Sequence, residues 1–166
     1  MRLFILIDNI FHEPTTTENS MKGIVTFHVQ DIKFTLKNKT LLKTWIVSTI
    51  EKKKREVGNI SYVFCSDDHL LNLNKQFLNH DTFTDIITFD YSKNNPQAAI
   101  SGDIFISIDR IKENASTFSK SFQDELHRVI IHGVLHLLGY QDKTKIAKAE
   151  MRKQEDLCLS TFKKIV

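Results

Sequence analysis

The chain has 166 residues, of which 41% are hydrophobic and 26% are charged, as expected for one globular domain with an adequate core. Five glycines and two prolines argue against a disordered or linker-rich chain, and no apolar run approaches the roughly 20 residues needed to cross a bilayer. A net charge of +3 and a pI near 8.8 are compatible with nucleic acid as a partner. Two cysteines without zinc-knuckle spacing favour a reduced, cytoplasmic protein.

The first 20 residues differ from the remainder, because the short apolar run LFILI is followed by the polar stretch HEPTTTENS. This apolar run is too short for the core of a signal peptide, and no small-residue cleavage site follows it. We expect residues 1–20 to form an extension or an edge strand and residues 21–166 to form a single domain.

Strand and helix patterns alternate in the first half of this domain. Two alternating runs between Ile24 and Leu36 predict a strand, a turn and a second strand, and an apolar stripe after Thr40 predicts a helix that Gly58 ends. The last turn of that helix is the basic run Lys52–Arg55. This run suits either a solvated helix end that complements the helix dipole or a phosphate-binding patch. The elements predicted next are a strand over 59–65, a helix over 69–78 and strands over 84–91 and 101–108.

Helices predominate in the second half. Asp109 is predicted to cap a short helix that ends near Phe118. Ser121 begins a longer helix, with Asp124 placed for a capping box. A final amphipathic helix is predicted over 143–163, and its apolar positions include Ile146, Met151, Leu157 and Phe162.

The most informative stretch is HGVLHLLGYQD, residues 132–142, at the end of the longer helix. His132 and His136 are four residues apart, so they project from one helix face. Gly139 suits the left-handed conformation that ends a helix, and the turn it allows would return Asp142 to the same point. Two imidazoles and a carboxylate make a three-ligand transition-metal site with a fourth position for water. The motif therefore predicts one catalytic Zn²⁺ ion per chain.

The same spacing matches the extended metalloprotease pattern H-E-x-x-H-x-x-G-x-x-[HD], in which the Glu beside the first His is the general base. Gly133 stands at that position here and cannot accept or release a proton. This departure argues strongly against a protease. Because glycine inside a helix costs about 1 kcal/mol relative to alanine, we expect Gly133 to allow close packing against another element.

Three segments together resemble a known family. HGVLHLLGYQD resembles the signature H-G-x-L-H-L-x-G-Y-D-H of the YbeY family, which are bacterial metal-dependent endoribonucleases. LNKQFLNHDTFTDIITF, residues 73–89, resembles the family segment L-N-x-x-Y-R-x-x-x-x-P-T-D-V-L-S-F, and SGDI at 101–104 resembles its G-D-I strand. The resemblance implies an α+β, zincin-like fold in which a mixed four-stranded sheet and about five helices surround a central zinc-binding helix. Residues 21–166 would then form the catalytic domain.

The resemblance also implies a function, namely single-strand-specific, metal-dependent cleavage of RNA. It implies rRNA maturation, including the 3′ end of 16S rRNA, and ribosome quality control in the cytoplasm. The expected partners are rRNA and the small ribosomal subunit, and neither a membrane nor DNA is expected. The alternative is a ribosome-assembly or RNA-binding factor whose zinc is mainly structural. The sequence leaves open whether water or the ribose 2′-OH attacks the phosphate.

Three positions depart from the family pattern. Asp142 stands where the family usually has His, and a carboxylate is an accepted zinc ligand. Leu78 replaces a basic residue that is implicated in activity, so a phosphate contact is lost and the assembly-factor alternative gains support. Phe83 replaces a proline, and we expect this change to affect only the shape of a loop.

Other candidate site residues lie near the proposed ligands. Arg128 is one helical turn before His132 on the same face, where it serves either as a phosphate contact or as a surface or helix-pairing residue. Asp85 and Thr88 are candidates for lining the substrate cleft. Alternatively, Asp85 is a buried strand-start residue whose carboxylate is satisfied by backbone amides. His127 lies well round the helix from His132 and is expected to be structural or exposed.

Overall fold

A computed structural model describes residues 23–95 and 97–164 of the chain. The extension or edge strand predicted for residues 1–20 lies outside these ranges. In chain order the elements are β1 (Val25–Val29), α1 (Lys39–Lys52), β2 (Val57–Cys65), α2 (Asp67–Leu78), β3 (Ile86–Asp90), β4 (Ile100–Ser107), α3 (Ile108–Thr117), α4 (Phe122–Leu137) and α5 (Lys145–Phe162).

The four described strands form one mixed sheet in the order β1-β2-β4-β3. β1, β2 and β4 are parallel to one another, and β3 runs antiparallel to β4 at one edge. α1 connects β1 to β2, as expected because parallel neighbours require a long crossover. The predicted α+β architecture, with a mixed four-stranded sheet and five helices, is therefore confirmed for the described residues.

The sheet has a different helix layer on each face. Because side chains alternate along a strand, Ile104 and Ile106 of β4 face the larger core, whereas Phe105 faces the other side. α4 packs against the first face. α2 covers the second face, where its Leu70 joins a smaller cluster with Ile87 of β3.

α4 is the central helix, and every residue from Val129 to Leu137 is buried. Such a helix needs contacts on all sides, and the sheet, α3 and α5 supply them. A Cβ atom on Gly133 would lie 2.8 Å from Ile104 Cγ2 and 3.1 Å from Ile86 Cδ1. The absent side chain therefore lets α4 approach β3 and β4 closely, which confirms the expected role of Gly133.

Both ends of α4 follow the signals in the sequence. The Ser121 hydroxyl accepts a hydrogen bond of 3.0 Å from the backbone N–H of Asp124. At the other end, Gly139 has a φ of 92°. The N–H of Gly139 donates to the carbonyl of His136 at 2.8 Å, and the N–H of Tyr140 donates to the carbonyl of Leu135 at 3.0 Å. This pair of bonds is a Schellman motif, which reverses the chain directly after the two histidines.

Two predictions about the first half were wrong. Residues 32–36 form no strand, although Phe34 and Leu36 pack in the core as their alternation required. α1 ends at Lys52, well before Gly58, which lies inside β2. At Gly58 a Cβ atom would lie 2.1 Å from Ser101 Oγ and 3.1 Å from the carbonyl oxygen of Ile100, so this close approach to β4 favours glycine there.

The predicted register of α5 was also partly wrong. Ile146 and Leu157 are 84% and 59% exposed, so neither belongs to the core. The buried face of the helix consists of Met151, Gln154, Glu155, Cys158 and Phe162. A carboxylate therefore lies on the inner face of α5. No described helix, including α5, is both long and apolar enough to cross a membrane.

Replacing Gly133 by alanine is expected to destabilise the domain, although alanine favours a helix by about 1 kcal/mol. The added methyl group would overlap the fully buried Ile104, and overpacking a core costs about 1–3 kcal/mol. Urea unfolding followed by circular dichroism should place the midpoint of Gly133→Ala below that of the wild type. A midpoint equal to or above the wild type would contradict the close-packing role.

Candidate metal centre

Three ligand atoms converge beside the end of α4. The Nε2 atoms of His132 and His136 are 2.8 Å apart, and Asp142 Oδ2 lies 3.7 Å from the first and 3.8 Å from the second. All three side chains are buried. The spacing of the motif and the turn at Gly139 thus bring the expected residues to one point.

Hydrogen bonds fix the tautomer of both imidazoles. His132 Nδ1 lies 2.7 Å from Glu155 Oε1, and His136 Nδ1 lies 2.8 Å from the carbonyl oxygen of Tyr140. A carboxylate and a carbonyl only accept hydrogen bonds, so each Nδ1 carries the proton and donates. In each neutral ring the Nε2 atom then presents a lone pair to the centre.

This arrangement fits a divalent transition metal. Two nitrogen atoms and a carboxylate oxygen face one another at these distances, and a cation placed between them would be attracted to all three. Bonds of about 2.1 Å to a tetrahedral ion would separate the ligand atoms by about 3.4 Å, and the observed 2.8 to 3.8 Å bracket that spacing. Within the described ranges the ligand group has three members. A four-coordinate ion would therefore retain one position for solvent or substrate.

Glu155 links the ligand His132 to Arg128, and sequence reasoning missed it. Its Oε1 accepts from His132, while its Oε2 accepts from Arg128 at 2.8 Å. A carboxylate behind a ligating histidine fixes the ring and raises its basicity. Glu155 is only 2% exposed, so the charge of Arg128 compensates a carboxylate that would otherwise be costly to bury.

Arg128 belongs to α4, and its side chain reaches across to α5. It also binds Asp156 Oδ1 at 2.8 Å. Burial lowers the pKa of Arg128, but the hydrogen bonds to Glu155 and Asp156 outweigh it and raise the pKa, so the guanidinium remains charged. These contacts correspond to the helix-pairing alternative. A contact between Arg128 and phosphate remains a prediction.

Lys53, from the basic run, contacts the turn that follows α4 and leads to Asp142. Its Nζ donates to the Tyr140 hydroxyl at 2.9 Å and to Gln154 Oε1 at 2.7 Å. Lys53 therefore connects α1 to α5 and to the turn that carries Asp142. The neighbouring Lys52 and Lys54 are exposed.

A cleft of about 510 Å³ opens beside the ligands, and His132 and Asp142 are among the residues that line it. Asp85 also lines the cleft, and its Oδ2 accepts a hydrogen bond of 3.1 Å from Asn114 Nδ2 on α3. Thr88 is not among the lining residues, because it lies further along β3 in a buried position.

Three cationic side chains line the same cleft, and sequence reasoning did not single them out. Arg110 comes from α3, and Lys148 and Arg152 come from α5. Their only signal in the sequence is their charge, because helical packing rather than a local motif brings them beside the metal ligands. The cleft therefore combines a metal centre with positive charge on two helices.

Comparison with known proteins identifies the family. The family model described as Endoribonuclease YbeY matches residues 24–163. The chain belongs to the YbeY family. YbeY relatives from Cytophaga hutchinsonii and Flavobacterium psychrophilum are each 46% identical to it, over 84% and 80% of this chain and 96% and 92% of theirs. A solution structure from Thermotoga maritima is 26% identical with a TM-score of 0.57, covering 85% of this chain and 93% of that chain.

The three segments that resemble YbeY lie next to one another in the fold. Segment 73–89 supplies Asp85 to the cleft, segment 101–104 supplies the isoleucine beneath Gly133, and segment 132–142 supplies the ligands. Leu78, at the position of the family's basic residue, is half-buried and packs in the smaller core cluster.

Exchanging Glu155 for glutamine is expected to weaken metal binding about 10-fold to 100-fold, as is typical when the partner of a ligating histidine is changed. The amide keeps the size of the side chain but removes the charge that stabilises His132 and balances Arg128. Competition with a chromogenic chelator on metal-stripped protein measures the affinity. Glu51→Gln, at an exposed position of α1, is the matched control and should bind metal like the wild type. Equal affinities for both variants would contradict the role assigned to Glu155.

Proposed function

We propose that this YbeY protein is a zinc-dependent, single-strand-specific endoribonuclease in rRNA maturation, acting at the 3′ end of 16S rRNA and in ribosome quality control. The observation that carries the proposal is the convergence of His132, His136 and Asp142 in a cleft lined by cations. The relatives named Endoribonuclease YbeY support RNA as the substrate. The proposed partners are rRNA and the small ribosomal subunit in the cytoplasm, without DNA or a membrane.

The three ligands suit catalytic zinc, because nitrogen and carboxylate donors with a fourth position left for solvent are typical of such sites. Zinc held there would supply a Lewis acid for a phosphodiester and a means of activating water. Glu155 and the Tyr140 carbonyl accept hydrogen bonds from the Nδ1 atoms of His132 and His136, so Nε2 is the nitrogen of each ring that would bind the zinc. Asp142 adds a negative charge that a histidine at this position would lack.

The cleft contains groups that suit an RNA backbone. The pKa of Arg110 is raised, chiefly by its hydrogen bond to Asp67, so this guanidinium stays charged. Arg110 is already paired with Asp67 and Glu113. The exposed Lys148 and Arg152 would attract phosphates, and their contribution should weaken with salt. The Asp85 carboxylate, held by Asn114, offers an acceptor for a ribose hydroxyl or for water. Attack by water would also cleave single-stranded DNA, whereas attack by the 2′-OH would not.

A second candidate function is that of a ribosome-assembly or RNA-binding factor with a mainly structural zinc. The observation in its favour is Leu78, which packs against the core at the position where the family has a basic residue. Such a factor would bind RNA and metal without cleaving the RNA. The position left for solvent in the ligand group favours the enzyme.

Zinc-loaded protein should cleave single-stranded RNA, whereas His136→Ala should lose at least about 100-fold in rate, since removing a ligand costs more than removing its hydrogen-bond partner. Metal analysis should find about one zinc ion per wild-type chain and less in the variant. Duplex RNA and single-stranded DNA of the same sequence are the substrate controls. Equal residual cleavage by both proteins would indicate a contaminating nuclease, and RNA binding without cleavage would favour the assembly factor.

Arg128→Ala distinguishes the two roles considered for this residue. If Arg128 positions Glu155, the variant should bind zinc more weakly, with an unchanged dependence of RNA affinity on salt. If Arg128 contacts a phosphate, the slope of log K against log salt should fall by about 0.7 for a single strand. Chelator competition measures the first quantity and an RNA titration at several salt concentrations measures the second. We expect the first result, because Arg128 already binds two carboxylates.

A further inference from the structure

Two phenylalanine rings at the cleft are exposed although they are large and apolar. Phe83 is 47% exposed and Phe118 is 56% exposed, and both line the cleft that contains His132 and Asp142. Phe83 precedes β3, and Phe118 caps the carboxyl end of α3. An exposed apolar surface inside a polar cleft is a common mark of a binding site.

Phe83 is supported on one side by a fixed cation. The guanidinium of Arg110 lies 4.9 Å from the centroid of the Phe83 ring, a distance typical of a cation–π contact. Arg110 is itself held by Asp67, through contacts of 2.7 and 2.6 Å, and by Glu113 at 2.7 Å. The ring thus rests on an anchored support while nearly half of the residue remains exposed. Binding a flat group there would cost little further loss of side-chain freedom.

The charges in the cleft indicate what kind of flat group is bound. Lys148 and Arg152, four residues apart on α5, line the same cleft and are exposed. A ligand that satisfies both features must carry planar aromatic groups and regularly spaced negative charges. Single-stranded nucleic acid has this composition, and its bases stack on aromatic side chains while its phosphates bind cations.

We propose that Phe83 and Phe118 form a stacking platform, each accepting one unpaired base of the RNA near the scissile phosphate. The proposal rests on the proposed function and deepens it, because it gives selectivity for single strands a physical source. In a duplex the two faces of each base are covered by its neighbours, so only an unpaired, unstacked base offers a free face. Phe83 then determines substrate choice at the position where the family has a proline.

The test uses Phe83→Leu and Phe118→Leu, which keep an apolar side chain but remove the aromatic face. Binding of a short single-stranded RNA to chelator-treated protein, followed by fluorescence anisotropy, measures affinity without cleavage. Each variant should raise Kd about 5-fold to 150-fold, the range that corresponds to stacking of one base. Tyr91→Leu is the control, because Tyr91 is 50% exposed but is not among the residues that line the cleft.

Oligonucleotides with one abasic position make the test specific for stacking. For the wild type, one or two abasic positions should raise Kd by a similar factor. In the variant that lacks the corresponding ring, the same abasic position should change Kd by less than about twofold, because the interaction has already been lost. Urea midpoints close to that of the wild type would show that both variants are folded.

Two outcomes would overturn the platform: variants that bind RNA as tightly as the wild type, or abasic penalties that persist unchanged in both variants. In the first case the exposed rings would instead suit a protein partner. Failure of the proposed function would look different. Wild-type protein would then show the abasic pattern in binding and yet leave RNA intact with zinc present, so the platform would stand without the nuclease.

Discussion

The metal centre depends on the two hydrogen bonds made by the Nδ1 atoms of His132 and His136. Each bond commits the proton to Nδ1 and turns the Nε2 lone pair toward Asp142. Without them, either nitrogen of each ring could carry the proton, and the three acceptors would lack a common orientation. The two acceptors come from different parts of the fold, namely Glu155 on α5 and the turn that follows α4. The centre therefore requires both the packing of α5 on α4 and the reversal at Gly139.

The surrounding core fixes the position of these ligands. α4 is buried from Val129 to Leu137, and at Gly133 it approaches β4 too closely for a side chain. A helix held in this way cannot rotate or slide without disturbing a densely packed interior. Asp142 completes the set only because the chain turns back after Leu138. The rigid sheet and α4 thus position two ligands, and a short loop positions the third.

Short-range rules predicted most of this arrangement from the sequence. The spacing of His132 and His136, the serine at the start of α4 and the glycine after it depend on local helix geometry, which the sequence displays directly. Glu155 could not be found in this way, because its partner His132 is 23 residues away. The sequence also predicted Ile146 and Leu157 on the buried face of α5. Both are exposed, so the predicted buried face was partly wrong and did not include Glu155. The cations and rings of the cleft come from separate elements, so only tertiary packing brings them together.

The two histidines differ in how their orientation is encoded. A side chain at position 155 holds His132, so a single codon change is enough to remove its acceptor. A main-chain carbonyl holds His136, and any amino acid at position 140 retains that carbonyl. The orientation of His136 depends instead on Gly139, whose φ of 92° few other residues tolerate. A substitution there would move the Tyr140 carbonyl that accepts from His136. Random mutation would therefore disturb the orientation of His132 by changing a side chain, and that of His136 by changing the backbone conformation.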